Sequence, residues 1–493
     1  MGIGRTAFTA LAALTLLVGG VFATQGSQAA EVGALDFATA EAGNPFADGW
    51  YAGPGAMTDG DTSWVFAASA PASTAAASPA SVDAFASRDL THWEKHPGVL
   101  SAGSIAWARG VVSAPAPIEH DGRYYLYFAA GDLESHSRAG GIGVAVADRP
   151  GGPYADALGR PLIDRVVNAA QPSDPAVFRD DDGQVYLYYG GWGRANVVKL
   201  NADLISLGRF AEGRTQREIT PPGFTEGAQV FKRSGRYYLA WAGGWYAVAT
   251  RPAGPFRAAG KLIEPDPAVA TGPLSRSAVL NVAGTDLWYL VYDRRPLSEF
   301  DPAHRTLSYD RMSFAADGSV RPVTMRVHDD FADGNALGWR IYGGSWSVSG
   351  GRFAAAASPG GKALLDTGFA DLVLTARVSI TGGAGDAGVV FRVTRPHAGA
   401  GSFRGYYAGL TTAGEVVLAK AAGTWTPLAS APIAAGGSHR LRVTAVGPAI
   451  KVYVDDARTP ALSVTDPQFR SGTVGLRTAG TAAAFDTVAV SRP

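Results

Sequence analysis

The chain has 493 residues, more than one hydrophobic core usually serves, so two domains are expected. Its 43 basic and 43 acidic residues cancel, which argues against a nucleic-acid binder with a basic surplus or stripe and suggests no strongly anionic substrate. With 46% apolar residues, 63 Gly and 30 Pro, the composition favours short strands broken by turns, and with no Cys no disulfide supports them.

Residues 1–30 read "MGIGRTAFTALAALTLLVGGVFATQGSQAA". One Arg precedes an apolar run and small residues follow, the pattern of a secretory signal cleaved near Ala29 or Ala30. An uncleaved anchor is the rival. Gly19 and Gly20 interrupt the run, and it is short for a membrane span. The expected mature protein is therefore secreted and extracellular, with no membrane segment.

Between residues 31 and 325 one aromatic phrase recurs. It reads "DGDTSWVFAAS" at 59–69, "DGRYYLYFAAG" at 121–131, "DGQVYLYYGGW" at 182–192, "SGRYYLAWAGGW" at 234–245 and "TDLWYLVYDRR" at 285–295. Starts 51 to 62 residues apart define repeated structural units. Each copy is a turn followed by an apolar run without clean alternation, as in a strand buried on both faces. A second phrase, Arg-Pro-x-Gly-Pro-aromatic, follows the second and fourth copies at 149–154 and 251–256. Several strands per unit, five units and no room for crossover helices predict a five-bladed β-propeller. A β-helix needs a shorter period, and stacked sandwiches do not account for five copies.

From 326 to 493 the phrase is absent and alternation is cleaner. Leu372, Leu374, Ala376, Val378 and Ile380 share one face, and Leu441, Val443 and Ala445 oppose Arg440, Arg442 and Thr444. These half-buried strands predict an antiparallel β-sandwich of jelly-roll type. The whole chain is thus all-β. The opening "DDF", the "GGSWSV" turn and the closing "AAFDTVAV" resemble the concanavalin-like sandwiches appended to secreted glycosidases. A stabilising appendage and a carbohydrate-binding module both fit. Asp329, Asp330 and Asp486 offer a Ca²⁺ site by that resemblance, or a solvated turn.

The propeller region resembles glycoside hydrolase family 43, which includes arabinofuranosidases, xylosidases, arabinanases and galactanases. The likeness rests on "NPFADGWYAGP", "FASRDLTHWEKHPGVL", "SAPAPIEHDGRYYLYFAA", "QPSDPAVFRDDDGQVYLYYGG", "TEGAQVFKRSGRYYLAW" and "DPAVATGPLSRSAV". It implies an inverting glycosidase in which one carboxylic acid protonates the leaving oxygen and a carboxylate ~6.5–9.5 Å away activates water. It makes Glu226 the general acid, with a turn residue as the structural alternative. It makes Asp174, in Asp-Pro, the pKa modulator that also orients the acid; an Asp bracing a turn is the alternative.

The resemblance breaks at the base. The family's first blade carries Tyr-Ala-Asp-Pro, and this chain has Tyr51-Ala52-Gly53-Pro54. Asp48 is the speculative replacement, followed by Asp59 or Asp61. A base from another blade, or a propeller that binds sugar without cleaving it, are the other readings. Losing a general base removes about 10²–10⁴-fold in rate. In blade five the family's axial His, which helps hold a metal or water, is absent from Thr271–Ser277, and Arg276 offers its own charge instead. Ser113-Ala114-Pro115 stands where the family more often has Trp-Ala-Pro.

Sugar faces stack on aromatic rings, so Trp50, Tyr51, Trp107, Trp192 and Trp245 are candidate substrate contacts, with Arg276 and Arg295. Trp64, Trp241 and Trp288 lie inside the repeated phrase and read as blade core. The eight His show no metal-ligand spacing, so no metal or cofactor is expected in the propeller. The expected partner is a polysaccharide or oligosaccharide, met by a monomer. Arabinofuranosidase or xylosidase action leads. A galactan-cleaving relative, and a fructan-cleaving one without its Asn-Asp-Pro-Asn, Arg-Asp-Pro and Glu-Cys signatures, remain alternatives.

Overall fold

The structure is a computed structural model that describes residues 42–70, 80–131, 140–434 and 437–493. The expected signal segment lies outside the described residues. Among them, one short 3-10 turn, Ala102–Ser104, is the helical element, and no helix is long and apolar enough to cross a membrane.

Five four-stranded antiparallel sheets, each with its strands in sequential order, follow one another as the blades of a propeller. Their innermost strands are Trp50–Asp59, Val112–His120, Ala176–Arg179, Gln229–Arg233 and Ala278–Asn281. The repeated phrase forms the second strand of every blade: Thr62–Ala70, Arg123–Gly131, Val185–Gly191, Arg236–Trp241 and Trp288–Arg294. These strands are almost wholly buried because each faces a neighbouring blade on both sides, which explains their lack of alternation. Tyr side chains reach across the gaps between blades. Tyr188 donates to the Pro252 carbonyl (2.8 Å), and Tyr127 to that of Leu204 (2.5 Å). The Arg-Pro-x-Gly-Pro phrase builds the same turn twice, with Gly152 N–H donating to Arg149 and Gly254 N–H to Arg251.

The segment before the first blade closes the ring. Asn44 exchanges two hydrogen bonds with the Tyr309 backbone, Phe46 N–H donates to Leu307 and Tyr51 N–H to Arg305. Residues 44–51 are therefore zipped to the third strand of blade five, Thr306–Phe314, and the residue before it. The Asp180–Asp181 turn ties blade three to blade four: both carboxylates engage Lys232, and Asp180 also accepts from Tyr237.

The C-terminal module is a curled antiparallel sheet. Two long strands, Leu372–Thr394 and Thr473–Ser491, pair along most of their length and kink at four irregularities, which lets one pair serve both layers. Leu372, Leu374, Ala376 and Val378 are fully buried, as are Leu441, Val443 and Ala445. Ile380 is half-buried, because the first irregularity after it turns the strand toward solvent. Arg392, 1% exposed, fills part of this module by donating to the carbonyls of Ala370, Gly447 and Phe469.

The sandwich docks on the propeller. Gly368 N–H donates to Ala268, Ser298 donates twice to Asp366, and Arg492 pairs with Asp266. A cavity of about 340 Å³ remains between them, lined by Asp48, Trp50 and Arg294 on one side and Asp329, Trp339 and Arg340 on the other. Asp329 is buried there and accepts from Trp339 Nε1 (2.7 Å) and Phe331 N–H (2.8 Å). Asp330 and Asp486 are likewise engaged in local bonds, to Ala332 N–H and the Thr487 hydroxyl. Among the described residues no group of three or more acidic or His side chains has metal-holding geometry.

Two outcomes follow from this packing. Gly55 lies where the innermost strands of blades one and two cross, and a Cβ there would sit 2.0 Å from the Pro115 carbonyl oxygen. Gly55→Ala should therefore cost at least about 1–3 kcal/mol, read as a lowered thermal midpoint. Burial pushes the Asp329 carboxyl up to about 8. An unfolded Asp titrates near ~4, so the folded state holds the extra proton between these values and stability falls as pH rises from ~4 to ~8. Urea unfolding at pH 5 and pH 8 should show this fall, and Asp329→Asn should reduce it.

Candidate active site

The funnel is built from a repeated backbone kink. Gly53, Ala114 and Asp174, each followed by Pro, occupy equivalent positions at the entry to blades one, two and three, with φ of +61°, +49° and +50°. Glycine takes this left-handed conformation freely and Asp tolerates it, but Ala114 is strained. Strain kept in a buried residue marks a place where the surrounding structure dictates the backbone.

Arg276, from blade five, crosses the axis and touches the other four blades. Its Nη1 donates to the carbonyls of Ala114 (3.2 Å) and Pro175 (2.9 Å). Its side chain passes within van der Waals reach of a Cβ at Gly53, and a Cβ at Gly227 would lie 2.9 Å from its own Cβ. Only glycine at 227 allows that approach. The side chain is 3% exposed, and its Nε and Nη2 have no protein partner. Burial works against this charge, and the nearby Asp174 carboxylate favours it.

Asp174 sits beside this cation, half-buried, and accepts from the Gly227 N–H. Burial pushes its carboxyl up to about 6, with the Glu226 charge adding to the rise while Arg276 and the Gly227 N–H oppose it. Glu226 is exposed on the loop preceding the innermost strand of blade four, and its carbonyl accepts from Ala242 N–H (3.0 Å). The sequence-derived acid and its partner thus converge on one electrostatic group with Arg276.

Two exposed indoles flank Glu226. Trp192, 43% exposed, sits in a turn whose Gly193 N–H donates to Thr225. Trp245, 44% exposed, follows the Ala242–Gly244 turn and is backed by Lys261, whose Nζ lies 4.0 Å from the ring centroid and donates to Gly243. Both are available as stacking surfaces. The other aromatic candidates are packed. Tyr51 is 1% exposed and donates to Asp83. Trp107 stacks on Phe128 and donates to Asp156. Trp50 stacks on His304 and borders the cavity between the modules. Trp64 and Trp241 are buried, and Trp288 packs on Phe231 and Phe314. The Arg295 backbone pairs with Thr271, and its guanidinium lies against Gly272 and donates to Phe300.

Asp48 is exposed and borders the cavity between the modules, none of whose lining residues belongs to the axial group. Asp59 ends the first strand, six residues past Gly53, and accepts from Tyr124. At ~3.3 Å per residue it lies about 20 Å along the blade, with Asp61 in the turn beyond. The carboxylate that does meet Gly53 is Asp293, which no motif in the sequence marks. Asp293 is completely buried. It accepts from Gly53 N–H (2.9 Å), Arg305 Nη1 (2.9 Å) and the Ser275 hydroxyl. The signal was its place inside an otherwise buried strand, since a carboxylate there must have partners.

Asp174 and Glu226 thus lie together beside Arg276, with two exposed indoles nearby. The family model for glycosyl hydrolases family 43 matches residues 42–320, over half of the chain, and the chain belongs to that family. It is a glycoside hydrolase. A second family model, the 3-keto-alpha-glucoside-1,2-lyase-like domain, matches residues 329–491. A β-D-galactofuranosidase of Aspergillus niger is 38% identical over 313 residues, covering 58% of this chain and 86% of that protein. An arabinoxylan arabinofuranohydrolase of Bacillus subtilis is 29% identical over 287 residues, 48% of this chain and 53% of that protein. Among solved structures, a family 43 β-xylosidase/α-arabinofuranosidase from a compost microbial metagenome shares the fold. Its TM-score is 0.50 at 24% identity, over 57% of this chain and 97% of that one.

Because Arg276 holds the Asp174 carboxyl down, replacing it should push that carboxyl up further. If ionised Asp174 is needed for turnover, the acidic limb of kcat/KM should move toward higher pH in Arg276→Met, by about one pH unit. A pH–rate profile of the variant checks this.

Proposed function

We propose that the enzyme removes terminal furanosyl residues from polysaccharide or oligosaccharide chains, with β-D-galactofuranosyl units the first candidate and α-L-arabinofuranosyl units the second. The carrying observation is the axial group of Asp174, Arg276 and Glu226. Glu226 is the general acid that protonates the leaving oxygen. Asp174, next to the buried guanidinium, orients it and sets the local field. Trp192 and Trp245 hold the sugar or its leaving group by their apolar faces.

The choice of sugar draws on the galactofuranosidase relative. β-D-Galactofuranose has the ring configuration of α-L-arabinofuranose plus an extra hydroxymethyl unit. Gly53 and Ser113-Ala114 stand where the family pattern has Asp and Trp, and the Arg276 stem occupies the space beside Gly53. Asp293 has three donors and no exposed surface. It holds the Gly53 backbone rather than taking a proton from water.

The test is turnover of p-nitrophenyl β-D-galactofuranoside, α-L-arabinofuranoside and β-D-xyloside. The galactofuranoside should be preferred, and a preference for the xyloside would overturn the assignment. Glu226→Gln should lower kcat by about 10²–10⁴-fold on substrates with poor leaving groups. The loss should be much smaller with a 2,4-dinitrophenyl leaving group, which departs without protonation.

One observation favours a second reading, a propeller that binds sugar ends and turns them over slowly: blade one presents Gly53 in place of a base. Gly53→Asp separates the two. An Asp fits the left-handed backbone, as Asp174 shows at the equivalent kink. A gain of tenfold or more in kcat supports the binding reading, and a loss supports the enzyme as it stands.

A further inference from the structure

The sandwich has a second apolar cluster on the outer face of its sheet. In the strands Arg404–Thr411 and Glu415–Ala422, Tyr406, Ala408, Leu410, Val416 and Leu418 point into the main core. The alternate residues Tyr407, Ala419 and Ala421 point the other way and pack with Leu364, Val390, Val393 and Phe403. The loop around 397–400 covers part of this face. Its carbonyls accept from two buried cations, Lys362 (to His397 and Gly399) and Arg477 (to Ala400).

Beyond that cover the face stays open, and one indole stands on it. Trp425 begins the edge strand Trp425–Pro432 and is 40% exposed. It is braced from one side: the Arg477 guanidinium lies 4.4 Å from its ring centroid and 4.5 Å from that of Tyr407. Arg477 is itself held by an ion pair with Asp386. Trp425 is therefore a fixed plate rather than a loose surface side chain. It forms one end of a groove of about 510 Å³ floored by Val417 and Ala419, whose other end carries Thr411 and Glu415; Asp386, already paired with Arg477, also lines it. That volume falls in the range of small-molecule sites.

We propose that this groove is a glycan-binding site, separate from the propeller funnel, that holds the polysaccharide whose terminal sugars the funnel removes. The inference rests on the reading that the propeller acts on a glycan. A sugar unit offers an apolar C–H face ringed by hydroxyls. The groove offers one rigid aromatic plate facing carboxylate and hydroxyl acceptors. A protein partner would be met by a broader apolar patch with a polar rim, whereas the exposed apolar surface here is dominated by a single ring.

Affinity gel electrophoresis of the full chain tests the site, with arabinoxylan, arabinan, galactan and galactomannan each cast in the gel. At least one polymer should retard the wild type, and Trp425→Ala should abolish that retardation. Its kcat/KM on a p-nitrophenyl furanoside should stay within twofold of wild type, while turnover of the retarding polymer at low concentration falls by tenfold or more. Glu415→Gln, an exposed change at the opposite end of the groove, should weaken retardation too, and it serves if Trp425→Ala disturbs the edge strand. Absence of retardation by all four polymers overturns the proposal. So does retardation unchanged in both variants, or self-association that Trp425→Ala removes without any effect on polymer. Aryl furanoside turnover is read independently, so failure of this site and failure of the propeller assignment are distinguishable.

Discussion

A single buried guanidinium holds the centre of this molecule. A propeller's blades meet only at their innermost strands, and carbonyls at the strand entries converge on the axis with few donors to meet them. Arg276 supplies two of those donors, to blades two and three, while its stem fills the space beside Gly53 and Gly227. An unpaired buried charge is expensive, and Asp174 offsets it. Burial raises the Asp174 carboxyl while Arg276 opposes the rise, so the central cation and a carboxyl of raised pKa act on each other within one electrostatic group. Asp174, Glu226 and Arg276, from blades three, four and five, thus form one electrostatic group.

The architecture was legible because it is written five times. The aromatic phrase marks one strand per blade, and its failure to alternate follows from burial between neighbouring blades. The sandwich was legible for the opposite reason: strands such as Leu372–Thr394 have one face in the core, and the alternation shows it. The closure of the ring left no such trace. Asn44 and Phe46 read as loop residues, and nothing local reveals their pairing with a strand about 260 positions away. The irregularities that curl the sandwich are hidden too, since each is one residue of slip in a long pairing.

The site was legible where one residue carries one role. Asp174 and Glu226 stood out by their motifs, and Trp192 and Trp245 by their place between blade strands. The aromatic candidates Tyr51 and Trp107 show the weakness of that reasoning, because a ring near a blade junction serves packing as readily as binding. Asp293 shows the converse. Its three partners come from residues 53, 275 and 305, so its burial depends on contacts that no local pattern encodes. The cavity beside Asp48 arises only once the sandwich is docked, and no segment of sequence announces a space between two modules.

The kink shared by Gly53, Ala114 and Asp174 makes the ring interchangeable at those three stations. Since the main chain adopts one shape whether the occupant is hydrogen, methyl or carboxymethyl, an acidic group can be relocated from one sector to its neighbour without remodelling the backbone. The three stations thus differ only in the side chain that one and the same backbone presents to the axis.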